Sequence, residues 1–133
     1  MKNGEAQLLL RALAGDSNNE SVLKDLKLPA KVSFAVARSI EKLASNEKTV
    51  EEQRKKIIED VCEKDAEGKP VIEEKEGVSQ YKITNPEEFA KQYNELMDAE
   101  ADVELFKFEE ELLYADDVRL TDNQSQVLLY LVK

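Results

Sequence analysis

The chain has 133 residues, of which 19 are basic and 29 acidic, with no histidine and a single cysteine, Cys62. A chain of this length can bury a core of its own, one cysteine excludes an intramolecular disulfide, and the lack of histidine removes the common zinc ligand sets and the usual general base. The opening stretch holds only three consecutive leucines before Arg11, too short for a signal sequence or a membrane span, so the expected setting is the reducing cytoplasm, with no membrane association.

Charged residues make up 36% of the chain and hydrophobic ones 41%, a balance that favours long solvated helices over a thick globule. A single domain over 1–133 is expected. The net charge of −10 is unevenly spread: residues 87–122 hold thirteen acids against Lys91, Lys107 and Arg119, and the remainder is neutral. Such a region repels phosphate backbones and attracts basic protein surfaces over about a Debye length, although acidic surfaces also serve solubility alone. Direct nucleic-acid binding is therefore not expected.

Ala6, Leu9, Leu10 and Leu13 recur at helical spacing and Gly15 follows as a stop, which predicts a short amphipathic helix over 4–14 within an N-terminal helix-and-loop segment, 1–26. The turn-rich "GDSNNES" reads as loop. Pro29 fits the first turn of a helix, and 31–64 contains neither Gly nor Pro, so the segment 27–64 should be one long helix. Val36, Leu43, Val50 and Ile57 repeat every seven residues, flanked by Ile40 and Val61. They form a seam that a partner must follow, and an acidic residue at Leu43 or Ile57 should be strongly destabilising. Glu47 and Arg54 leave the middle of that seam polar.

Gly68 and Pro70 end the helix, and "VIEE" and "VSQYKIT" around "KEG" predict a small β-hairpin within 65–84, with Tyr81 and Ile83 on one face. Asn85-Pro86-Glu87-Glu88 is a helix start: Asn caps, Pro takes the first position and Glu88 can reach back to the cap amide. The apolar stripe Phe89, Tyr93, Leu96, Met97 makes 85–100 a return helix. In "ADVELFKFEEELL" the period falls towards two, with Val103 and Leu105 facing one way and Phe106 and Phe108 the other, as in a half-buried strand or extended segment. Thr121 and Gln124 form a capping-box pattern before "SQVLLYLVK", so 101–133 ends in a docked apolar helix carrying Val127, Leu128, Leu131 and Val132. The fold class expected is mainly α with a minor β component: a long antiparallel helical hairpin with a small β-hairpin at its tip, an extended segment and short terminal helices.

No phosphate loop, dinucleotide fingerprint, nucleophile elbow or histidine triad occurs, and "YADDVRLTD" lacks the glycine-centred spacing of a calcium loop. Cys62 has no evident base beside it and reads as a semi-buried structural thiol. Catalytic activity, cofactors and metals are not expected. The chemistry that stands out is the acidic region, with Glu104, Glu109, Glu110, Glu111, Asp116 and Asp117 as the candidate partner-binding residues. Acids interleaved with Phe106 and Phe108 can mimic a phosphate backbone towards a basic groove, and they are equally the pattern of a half-buried strand.

The succession "LPAKVSFAVARSIEKL", "EKDAEGKP", "ITNPEEFAKQYNELMDAEADVELFKF" and "LTDNQSQVLLYLV", over 27–132, resembles a family of small helical-hairpin proteins of tailed phages and prophages of Gram-positive bacteria. These are fold motifs and carry no catalytic residues across. The resemblance implies a phage accessory protein in the bacterial host cytoplasm that binds a host or phage protein with a basic surface, as an acidic inhibitor of a host or defence protein. The alternative is a structural or assembly factor of the phage particle that self-associates through the long-helix seam. Monomer and homodimer are both compatible with the sequence.

Overall fold

The computed structural model describes residues 1–114 and 118–133. In chain order it contains α1 (Asn3–Ala14), α2 (Ala30–Val61), strands β1 (Ile72–Lys75) and β2 (Val78–Tyr81), α3 (Pro86–Asp98), a 3-10 helix (Glu110–Tyr114) and α4 (Asp122–Leu129). The fold is thus mainly α with one small antiparallel sheet, built on a helix of 32 residues. Two compact units make up the chain: Met1–Glu47 with Glu100–Lys133, and Lys48–Ala99. Among the described residues, no helix is long and apolar enough to cross a membrane.

The first unit is built around Ala6, Leu9 and Leu13 of α1, Val32, Ala35, Val36 and Leu43 of α2, and Phe108, Leu113, Leu128 and Leu131. Gly15 stops α1: its φ is 77°, its N–H donates to Arg11 O at 2.8 Å, and a Cβ there would stand 2.7 Å from the Ser21 nitrogen, so no other residue fits. The loop that follows is turned by the Asp16 carboxylate, which accepts from the Asn18 and Asn19 amides at 2.9 and 2.7 Å. Those two bonds lower the Asp16 pKa.

Pro29 is the residue before α2 rather than its first helical position, and its carbonyl accepts from Ser33 N–H at 2.9 Å. The polar middle of the helix is matched by polar residues of α1. Asn46 donates to Asn3 at 3.1 Å and Gln7 donates to Glu47 at 3.0 Å, which satisfies amides that the neighbouring packing half-buries.

Of the seam expected along α2, Val36, Leu43, Val50 and Val61 are buried and Ile40 is half-buried. Ile57 is only half-buried, and Ile58 takes the inner position. Ile58 lies three and four residues before Val61 and Cys62, on the same helical face. Cys62 bridges to Ile83, and Thr84 gives both its N–H and its hydroxyl to Val61 O at 3.1 Å, so the cover fixes which isoleucine turns inward.

In the second unit the chain leaving α2 is stitched to the hairpin: Glu63 N–H donates to Lys82 O and Val71 N–H to Glu63 O, each at 2.7 Å. The strands pair Ile72 with Tyr81 and Lys75 with Val78. Glu76 and Gly77 have φ of 54° and 80°, the two left-handed residues of a type I′ turn, whose twist matches paired strands. Cys62 is buried, its thiol directed at Glu59 O at 3.4 Å.

α3 starts as its sequence indicates. Asn85 accepts from Glu88 N–H at 3.1 Å and Pro86 opens the helix, but the Glu88 carboxylate accepts from Gln92 at 2.9 Å instead of reaching back to the cap. Phe89, Tyr93, Leu96 and Met97 are all half-buried, with the Phe89 and Tyr93 rings stacked at 5.7 Å.

Candidate functional site

The acidic stretch is displayed by a segment anchored at both ends. Phe108 is 3% exposed; its N–H donates to Leu131 O at 2.8 Å and its carbonyl accepts from Lys133 N–H at 3.0 Å. Leu113, also buried, is the second anchor. Earlier in the segment, Phe106 N–H donates to the Ser39 hydroxyl oxygen at 3.1 Å and that hydroxyl donates back to Phe106 O at 3.3 Å. The backbone from 106 to 113 is therefore fixed on the core. A lone bridge between Phe108 and Val132 stands where a strand was expected, and from Glu110 the chain winds into a 3-10 helix that the alternating pattern did not indicate. Tight winding follows from burial: Leu113 must face inward while Glu110 and Glu111 before it stay in water.

Between the anchors, Glu109, Glu110 and Glu111 are exposed, and none of them forms an ion pair among the described residues. Tyr114, 72% exposed, donates its hydroxyl to Glu110 at 2.8 Å. That hydrogen bond and the carboxylate charge raise the phenol pKa above its ordinary value. The result is a carboxylate cluster with one aromatic ring held at its edge.

The other candidates fall elsewhere. Glu104 is exposed and lines a separate cleft with Lys42 and Lys107, away from the acidic turn. Asp116 and Asp117 lie outside the described residues. Since Phe108 is buried and Phe106 half-buried, the aromatic and acidic alternation is that of a half-buried extended segment with its acids outward.

Sequence reasoning missed a second feature of the same unit. A cleft of ≈ 440 Å³ lies between the start of α2 and the 106–112 segment, with Lys31, Lys107 and Lys133 around the rings of Phe34 and Phe106. Phe34 is 60% exposed and meets Phe106 edge-on at 6.3 Å, and the Arg38 guanidinium sits 5.2 Å from the Phe106 centroid. The available signal was Phe34 itself, a large apolar residue off the Val36–Ile40 seam with Lys31 one turn before it. Comparison with protein-family models, curated proteins and solved structures gives no match.

Proposed function

We propose that this protein acts by binding another protein, presenting Glu109, Glu110, Glu111 and Tyr114 to a basic surface of its partner. The observation that carries this reading is the acidic turn held between buried Phe108 and Leu113, with Tyr114 72% exposed beside carboxylates that form no ion pair among the described residues. Anchoring matters because ordering a loop on binding costs free energy, and a turn already fixed on the core loses little. Exposed tyrosine within a charged rim is the residue type that dominates binding at interfaces, while the carboxylates accelerate encounter with a cationic surface and set its orientation.

In the phage setting that the resemblance implies, the partner is a host or defence protein, and the acids would occupy a basic groove otherwise used for nucleic acid. The chain would then work as an inhibitor in the host cytoplasm without catalysis of its own.

The test is retention of host proteins on immobilised wild type and on the variant with Glu109, Glu110 and Glu111 all changed to Gln, followed by purification of the retained protein and direct titration. The variant should keep its circular dichroism, because these side chains are exposed and form no ion pair among the described residues. It should bind the purified partner about tenfold or more weakly, with the difference shrinking as salt rises. Equal affinity of wild type and variant would overturn the reading.

A further inference from the structure

The acidic turn and the lysine-rimmed cleft are contiguous: Glu109 and Leu112 line the cleft, and the exposed Glu110, Glu111 and Tyr114 belong to the same turn. We propose that the occupant of the cleft is a second copy of this chain, in a two-fold dimer where each copy places Glu111 and Tyr114 of its acidic turn against Lys31, Lys133 and Phe34 of the other. Self-complementarity is what a two-fold interface demands, since every patch on one subunit meets its counterpart on the other. A cationic patch adjoining an anionic one meets this demand when the axis passes through their boundary, near Glu109 and Leu112.

The chemistry on the two sides matches. The cleft offers lysines around a half-exposed aromatic ring, and Lys107 is fixed by donating its ammonium to Tyr130 O at 2.6 Å. The turn offers carboxylates around an exposed aromatic ring. Lys31, Lys133 and Glu111 have no ion pair among the described residues, so pairing across the interface breaks no bond within a copy. Phe34 and Tyr114, 60% and 72% exposed, would cover each other, the usual fate of aromatic rings at the centre of an interface. Each copy carries a net charge of −10, but at physiological salt charges more than about 8 Å apart are largely screened, and local complementarity decides.

The inference shares Glu111 and Tyr114 with the partner contact proposed above and makes dimerisation a competitor for that contact. Lys31→Glu separates the two, because it spoils the cleft and leaves the acidic turn intact. Sedimentation velocity on the full chain over a concentration series is the experiment. Wild type should show a reversible monomer–dimer equilibrium, and Lys31→Glu and Glu111→Lys should each weaken it by about tenfold or more. An equimolar mixture of the two variants should dimerise again, since each charge reversal then faces the complementary one. A wild type that stays monomeric up to millimolar concentration would overturn the proposal, as would a dimer indifferent to both reversals or a mixture that fails to recover. Binding of a labelled oligothymidine in the cleft by a monomeric chain would overturn it too.

Discussion

Ser39 shows how much one small side chain can hold. It is fully buried, its hydroxyl satisfies both the N–H and the carbonyl of Phe106, 67 residues away, and it thereby fixes the strand-like segment that leads to the acidic turn. Ser39→Ala should leave two half-buried backbone groups of Phe106 without their partner and cost about 1–3 kcal/mol, measured by urea unfolding at constant m-value. Nothing in the sequence marks this role. Ser39 stands on the face of α2 that carries Val32, Val36 and Leu43, where it reads as a small interruption in an apolar stripe, and its partner is set by tertiary packing. Tyr114 and Glu110, four residues apart, were hidden for a different reason: an extended reading of the stretch sets them far apart, and only the 3-10 winding brings the phenol within 2.8 Å of the carboxylate.

Among the elements, those whose ends are written in local chemistry were legible. Asn85 with Pro86 starts α3, and Thr121 with Gln124 starts α4 through a capping box in which Gln124 N–H donates to the Thr121 hydroxyl at 3.2 Å and Thr121 N–H to Gln124 at 2.9 Å. The Gln124 amide also donates to Val22 O at 2.9 Å, so the cap holds a distant loop as well, which no spacing rule anticipates. The heptad along α2 located the buried face but missed which isoleucine turns inward. Leu43→Asp and Ile58→Asp should each destabilise strongly, by about 3 kcal/mol or more, because each buries an unpaired carboxylate. Ile57→Asp, at a half-buried position, should cost clearly less in chemical denaturation; equal losses at 57 and 58 would contradict the observed inner position. The 3-10 helix was hidden for a related reason: its winding answers to the burial of Leu113 just after three exposed acids, and not to a propensity of the acids themselves.

At the scale of the molecule, charge was the most legible property and the cleft the least. The excess of acids over bases is a sum over sequence, whereas Lys31, Lys107 and Lys133 converge only once the ends of the first unit are folded together. An acidic chain with a sequence isoelectric point of ≈ 4.6 should be least soluble near that pH, where its mutual repulsion vanishes. Replacing Glu109, Glu110 and Glu111 with Gln should move the solubility minimum upward in pH without altering the fold, which turbidity and circular dichroism together can check.

The β-turn at Glu76 and Gly77 has a practical corollary. Nothing lies within 4 Å of where a Cβ on Gly77 would be, and the strands on either side pair in a defined register. A peptide spliced between those two residues would enter and leave at neighbouring points in open solvent, in the unit that contains neither the acidic turn nor the lysine cleft. The hairpin is therefore a natural attachment point for an epitope or a dye: a handle by which the protein can be followed in cells without changing any residue of the acidic turn or of the lysine cleft.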